Sequence, residues 1–228
     1  MNKLSTAGKW EDPEYEQREA RLASYFADAH YSYLEKYYAS ASFRRDGSSV
    51  FGTDNLWGNF WSVSGSWRFT DEEFLKSITD VLNDGKIRLS YGVNGTQPSD
   101  YYAYMNVYKY GLKYNGEGGM GIVGVGNPDL KWEVSKQTNL GVDIGLFHNR
   151  IFMQLDLYKS ITSDMLLNTI VPSTLGVSRM LQNVGSVENK GIEFNIVSRN
   201  LTGKFKWTTT FNISANRNKV LALGLDSE

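Results

Sequence analysis

Residues 119–124 contain a glycine pattern that, in another context, binds the phosphates of a dinucleotide. Gly119, Gly121 and Gly124 satisfy G-x-G-x-x-G, and Asp143 lies near the spacing of an acid that binds ribose. That chemistry needs a strand before the glycines and a helix N-terminus after them, because the helix end holds the pyrophosphate. Here a glycine-rich stretch comes before the pattern and Pro128 comes soon after it. We therefore expect a surface loop, and the sequence predicts no cofactor.

Two acidic clusters offer carboxylates for hydrolysis, Glu72 with Glu73 and a group formed by Asp12, Glu14 and Glu16. Adjacent carboxylates on a helix point in different directions, so they do not flank one bond. Glu72 and Glu73 belong to residues 70–78, where capping-box spacing and apolar residues one turn apart predict a short helix. We expect solvated faces or caps and no enzymatic activity.

Oxygen ligands for calcium are available at Asp46, Ser48, Asp54 and Asn55, but the spacing of an EF-hand is absent. The chain has no cysteine and only two histidines, which excludes thiolate zinc sites and the usual histidine-rich metal sites. The sequence predicts no metal site.

Aromatic residues are concentrated in residues 101–110, which contain five tyrosines. Sugars stack their apolar faces on aromatic rings, and peptides use such rings as rigid anchors. We therefore predict ligand contacts at Trp57, Tyr101 and Tyr102. The alternative is a long loop that packs on itself or on neighbouring loops through the same rings.

The elements that must position these residues have a period of two. Trp61, Val63 and Trp67 alternate with Ser62 and Ser64, so one face is apolar and the other polar. Eight such segments occur, at residues 21–33, 36–45, 59–69, 86–95, 132–147, 151–160, 186–198 and 204–218. Most are longer than soluble strands and match the roughly 9–11 residues of a tilted strand that crosses a bilayer.

The connections between these segments alternate between short and long. Residues 34–36, 148–150 and 199–203 form short connections, residues 70–85 form a modest one, and residues 46–57, 96–131 and 161–185 form long ones. Outer-membrane barrels have short periplasmic turns and long extracellular loops. The formal net charge is -1 and no basic tract occurs, so we expect no nucleic-acid partner.

Several phrases in this order resemble one family. They include Arg44-Arg45-Asp46-Gly47-Ser48-Ser49, Trp57-Gly58-Asn59-Phe60, Lys86-Ile87-Arg88-Leu89-Ser90-Tyr91-Gly92, Asn127-Pro128-Asp129-Leu130-Lys131-Trp132-Glu133 and Asn189-Lys190-Gly191-Ile192-Glu193. Over nearly its whole length the chain resembles SusC/RagA-like, TonB-dependent outer-membrane receptors.

This resemblance implies an all-β fold, an antiparallel up-and-down transmembrane β-barrel segment of about eight strands from a larger plugged barrel. Residues 1–228 are then a partial barrel domain without the plug and the final strands. The implied setting is the cell outer membrane, with its lipid, a SusD-like lipoprotein lid and the TonB complex as partners. The implied function is active uptake of a glycan or peptide substrate.

Two other architectures fit part of the pattern. A soluble or cell-surface β-sandwich that binds carbohydrate would pack the apolar faces of two sheets together. A closed barrel of eight strands would instead pair the first strand with the last. Long strands and alternating loop lengths favour the larger barrel over both.

Overall fold

A computed structural model of the protein describes residues 18–223, which form antiparallel β-structure. Its strands are β1 (Leu22–Tyr33), β2 (Tyr37–Ser48), β3 (Trp57–Arg68), β4 (Leu82–Thr96), β5 (Val107–Tyr114), β6 (Glu117–Gly124), β7 (Glu133–Leu146), β8 (Ile151–Ser163), β9 (Leu166–Ile170), β10 (Arg179–Asn183), β11 (Ser186–Thr202) and β12 (Lys206–Ala222). Short 3-10 helices lie at Thr53–Asn55, Phe69–Asp71, Glu73–Ile78 and Ser173–Leu175.

Eight long strands form one sheet in the order β1-β2-β3-β4-β7-β8-β11-β12. Each corresponds to one of the predicted segments, so the all-β, up-and-down fold class is confirmed. The largest differences are at strand ends: β4 begins at Leu82, β11 continues to Thr202 and β12 continues to Ala222. Within residues 18–223, β1 and β12 are not paired, so these strands do not close as a small barrel by themselves.

The short turns use backbone conformations that few residue types favour. Leu34 and Glu35 have φ values of 53° and 56° between β1 and β2. Between β7 and β8, Phe147, His148 and Asn149 have φ values of 54°, 58° and 58°. Positive φ costs a non-glycine residue free energy. The turns hold this conformation because the long flanking strands are fully paired.

Two hairpins were not predicted. The connection after β4 contains β5 paired with β6, and the connection after β8 contains β9 paired with β10. The glycine pattern at residues 119–124 lies in β6, so the prediction of a loop there is wrong. Many glycines and the absence of regular alternation conceal β6 in the sequence.

The predicted helix at residues 70–78 is also wrong in its details. Two 3-10 helices replace it, and neither has a side-chain cap. The Thr70 hydroxyl instead accepts a hydrogen bond from the Gly85 backbone N–H at 3.1 Å. This hydrogen bond joins the connection to the start of β4. It uses the Thr70 hydroxyl, which therefore does not cap a helix. No helix within residues 18–223 has the length and apolar content needed to span a membrane.

The buried apolar core lies at the end of the sheet where the long loops meet. Val50, Phe51 and Leu130 are at most 1% exposed, and Phe60 and Trp132 complete the cluster. The Trp132 ring lies 4.9 Å from Phe51 and 5.4 Å from Phe60, measured between ring centroids. Over the described part of the chain, the eight-stranded sheet, which we call the wall, has no such core on either face, whereas the loops pack around the core described here, which we call the loop core.

Candidate functional site

One face of the sheet is lined by polar side chains that pair across strands. Ser40 and Ser64 lie opposite each other on β2 and β3, and their hydroxyls hydrogen-bond at 2.7 Å. Ser42 and Ser62 repeat this contact at 2.7 Å. Farther along the sheet, the Asn218 amide on β12 donates to the side-chain oxygen of Asn189 on β11 at 2.6 Å. A continuous polar surface therefore runs from β2 to β12.

A charged network lies at the centre of this polar face. The Arg88 guanidinium on β4 donates two hydrogen bonds to Asp143 on β7, at 2.8 and 2.9 Å. Its Nη2 also donates to Asp156 on β8 at 3.1 Å. The Asn139 and Gln154 amides donate to these carboxylates at 3.4 and 3.5 Å. The network joins three strands, and only their register reveals it, because Arg88 and Asp143 are 55 residues apart in sequence.

The opposite face is apolar and open. Leu89, Leu140, Leu157 and Ile192 follow one another across four neighbouring strands, and each is at least 39% exposed. Phe211 on β12 is 51% exposed. No second sheet of the described chain covers this face. A face of this size and composition is that of a membrane-spanning wall, with lipid on one side and water on the other.

Tyr101 and Tyr102 lie in the loop between β4 and β5, at the end of the sheet that carries the loop core. Tyr101 is partly buried and packs against that core. The Tyr102 hydroxyl accepts a hydrogen bond from the Glu19 backbone N–H at 3.2 Å. The Tyr102 backbone N–H donates to Asp100 at 3.1 Å. Both tyrosines are therefore partly buried, Tyr101 by packing against the loop core and Tyr102 with its hydroxyl bonded to the backbone.

Trp57 is placed differently from the two tyrosines. It begins β3 on the apolar face, directly opposite Gly47. Its ring stacks on Tyr25 with 6.0 Å between centroids, and the Arg45 guanidinium carbon lies 5.2 Å from the ring centroid. A Cβ atom on Gly47 would come within 2.8 Å of this ring. The structure thus brings Tyr101 and Tyr102 together and leaves Trp57 on another surface.

Glu72 organises the opposite end of the sheet. It accepts hydrogen bonds from the Tyr37 hydroxyl at 2.5 Å and the Trp67 indole N–H at 3.1 Å, and Lys36 Nζ lies 3.4 Å away. These donors stabilise the carboxylate, with the Tyr37 bond first, and lower the pKa of Glu72 below its ordinary value of 4.5. Glu72 therefore joins the connection before β4 to the ends of β2 and β3.

The remaining chemical candidates do not form sites within the described residues. Asp46 is paired with Arg44 at 2.7 Å, and the Asn55 amide donates to the Asp129 carbonyl at 3.3 Å. Across residues 18–223, no cluster of three histidine, aspartate or glutamate side chains has the geometry for a metal ion. The acidic group formed by Asp12, Glu14 and Glu16 lies outside the described residues.

A long, two-faced antiparallel wall with alternating short turns and structured loops is typical of an outer-membrane β-barrel. The "TonB dependent receptor-like, beta-barrel" family matches residues 4–223, so the chain belongs to this family. The chain is therefore an outer-membrane protein and a receptor component rather than an enzyme.

Individual relatives agree with this assignment. The chain is 40% identical over 203 residues to TonB-dependent receptor P39 of Formosa agariphila, covering 89% of this chain and 20% of that protein. It is 37% identical over 218 residues to TonB-dependent receptor SusC of Bacteroides thetaiotaomicron, covering 91% of this chain and 22% of that protein. The chain thus spans about a fifth of the length of these curated relatives.

Solved structures show the same architecture. The RagAB peptide importer in the open-open state matches with a TM-score of 0.87 and 28% identity, over 98% of this chain and 24% of that one. The RagAB peptide transporter matches with a TM-score of 0.83 and 28% identity, over 90% of this chain and 23% of that one. In this family the short turns mark the periplasmic end of the wall and the long loops mark the extracellular end.

Proposed function

We propose that the chain forms part of the barrel wall of a receptor that imports glycans or peptides across the outer membrane. The observation that carries this proposal is the polar face from β2 to β12, backed by an apolar face of the same extent. The polar face then lines the lumen around a plug, and the apolar face contacts membrane lipid. No covalent chemistry is required, because the inner-membrane TonB complex supplies the energy for transport.

The extracellular loops are the proposed place of ligand and lid contact. Tyr102 offers an aromatic ring beside the loop core, and Tyr101 is fixed against that core. A ring held in place loses little conformational entropy when a sugar or peptide packs on it. A SusD-like lipoprotein that closes over these loops would contact the same rings. Trp57 stays a prediction as a ligand contact, and its stacking on Tyr25 supports a position in the wall near the membrane surface.

The soluble β-sandwich is the weaker proposal. It requires a second sheet over Leu89, Leu140, Leu157 and Ile192, and the described chain provides none. Membership of the receptor family also disfavours it.

The test uses the intact receptor purified from outer membranes in detergent. Material that co-purifies is released by denaturation, and mass spectrometry determines whether it contains oligosaccharides or peptides. The receptor is then reloaded with that fraction. Tyr102→Ala should weaken binding about tenfold, which corresponds to about 1.4 kcal/mol of lost contact.

Tyr110→Ala is the matched control, because Tyr110 is 78% exposed on the β5–β6 hairpin. It should bind like the wild-type receptor. If neither oligosaccharide nor peptide is retained, and cells lacking the receptor take up both at wild-type rates, the import proposal fails. If binding is normal in Tyr102→Ala, only the assignment of this ring fails.

A further inference from the structure

Three cations lie side by side on the outward face of the wall. Lys159 on β8 is directly opposite Lys190 on β11, and Lys190 is directly opposite Arg217 on β12. We call these three residues the basic row. Like charges directly opposite each other in a sheet destabilise it. A row of three adjacent cations is therefore unfavourable unless an anion lies over it.

The protein supplies only part of that negative charge. Glu188 lies 2.8 Å from Lys159 Nζ and 3.6 Å from Lys190 Nζ. Within residues 18–223, Arg217 has no carboxylate within ion-pair distance, and neither has Lys219, which lies opposite Glu188. The basic row and Lys219 carry four positive charges against one carboxylate. Lys159, Lys190 and Arg217 also line one shallow, open depression on the sheet.

The position of the basic row relates it to the membrane surface. The next outward residues toward the periplasmic end are Leu157, Ile192 and Ala215, which are opposite one another on the same three strands. Phe194 and Ile213 continue the apolar band behind them. The basic row therefore begins where the apolar band ends, on the side of the extracellular loops. Lysine and arginine at such a boundary extend their charged ends into the headgroup layer.

We propose that the basic row is a binding site for the phosphate of an anionic lipid headgroup on the extracellular side of the membrane. Guanidinium and ammonium groups donate short, charge-assisted hydrogen bonds to phosphate oxygens. The apolar band below the row packs against the acyl chains of the same lipid. A lipid bound here lies outside the barrel, so this site is separate from the lumen and loops proposed for import.

The site is tested with the intact receptor reconstituted in phosphatidylcholine bilayers. Residues 1–228 contain no cysteine, and any cysteine in the rest of the receptor is first replaced by serine, so Ala215→Cys provides one position for an environment-sensitive fluorophore beside the basic row. Quenching by brominated phosphatidylglycerol is compared with quenching by brominated phosphatidylcholine. We expect quenching to show a preference of about fivefold or more for phosphatidylglycerol, since one basic residue near an anionic surface contributes about that factor.

Variants separate this site from general charge effects. Combining Lys159→Gln, Lys190→Gln and Arg217→Gln should bring the preference close to one, and Lys190→Gln alone should lower it only in part. The control combines Lys109→Gln, Lys113→Gln and Arg179→Gln, which removes three cations from β5 and β10 in the extracellular loops. This control should keep the preference, and heat-modifiable electrophoretic mobility verifies the folding of each variant.

Two outcomes would overturn the proposal. Equal quenching of the labelled receptor by both lipids would show that the basic row does not select an anionic headgroup. Loss of the preference on addition of inorganic phosphate, at constant ionic strength, would show a site for soluble anions instead of lipid. The first comparison needs no charge variant, so it decides the matter even where the triple variant fails to fold.

Discussion

Arg88 and Asp143 form a two-bond ion pair between β4 and β7, with 2.8 Å from Nε to Oδ2 and 2.9 Å from Nη2 to Oδ1. The same Nη2 reaches Asp156 on β8. Gly141 makes room for this arrangement, because a Cβ there would lie 2.5 Å from Arg88 Nη2 and 2.7 Å from Asp156 Oδ1. One side chain thus joins three strands of the wall on its lumen-facing side.

Arg88→Met should destabilise the barrel by about 1.5–3 kcal/mol, the usual range for hydrogen bonds to charged groups. The substitution leaves two carboxylates close together without their cation. The cost stays below the roughly 3–5 kcal/mol of a fully buried pair, because water reaches part of the network. Urea or guanidinium unfolding, followed by heat-modifiable mobility, measures the change.

Lys86→Met is the control for this prediction. Lys86 is two residues away on the same face of β4, and it lies 5.4 Å from the Tyr38 ring centroid. Its loss removes the same charge without breaking the network, so we expect a change below about 1 kcal/mol. Equal destabilisation by both variants would mean that Arg88 acts only through overall charge.

Phe211→Lys should destabilise assembly by about 2–4 kcal/mol, because the charge would face lipid near the middle of the apolar band. The neighbouring change Asn212→Lys should cost about 0.5 kcal/mol or less, since Asn212 lies opposite Asn195 on the polar face. The fraction of heat-modifiable protein in isolated outer membranes reports both effects. The reverse order of the two variants would mean that the lumen and lipid faces have been exchanged.

Alternation predicted the wall because a strand's two faces are encoded by neighbouring residues. Each of the eight long strands, and the face of Ser62, Ser64 and Arg88, follows from period two alone. Pairing register is not encoded locally, so the contact from Arg88 to Asp156 was not predicted.

The loops were harder to predict for a related reason. Phe51, before β3, and Phe60, near the start of β3, form their core with Leu130, which is distant from both in sequence. Nothing in the local pattern around any one of these residues specifies its partners. Tyr101 and Tyr102 lie in a loop, as the sequence indicated, whereas Trp57 begins a wall strand, and the partners of all three required the structure.

Phe51→Ala should loosen the extracellular loops and leave the wall assembled. Phe51 is 1% exposed in the loop core, where removal of a phenylalanine side chain costs about 3–5 kcal/mol. Because the core lies at the loop end of the sheet and Phe51 itself is outside the strands, the loss should appear as local opening. Protease added to whole cells should cut the loops of the variant faster, while its heat-modifiable band stays intact. Phe74→Ala changes a site that is 71% exposed near the periplasmic end, and the protease should cut this variant at the wild-type rate.

Glu72 should make the stability of the wall depend on pH in the acidic range. The bonds from Tyr37, Trp67 and Lys36 lower the pKa of Glu72 in the folded state below its ordinary value of 4.5. A group with a lowered folded pKa contributes its full stability above the unfolded pKa and loses it as the pH falls through the folded value. Glu72→Gln should therefore be less stable than wild type at pH 7, and the difference should shrink as the pH falls below about 4.5.

Glu73→Gln is the matched control for this titration. Glu73 contacts Lys76 at 3.4 Å, and its side chain is 88% exposed, so solvent screens the pair. Its difference from wild type at pH 7 should be small. Denaturant unfolding at a series of pH values gives both difference curves. A Glu72→Gln difference that stays the same from pH 7 to below about 4.5 would mean that the Tyr37 and Trp67 bonds form equally well to a neutral side chain.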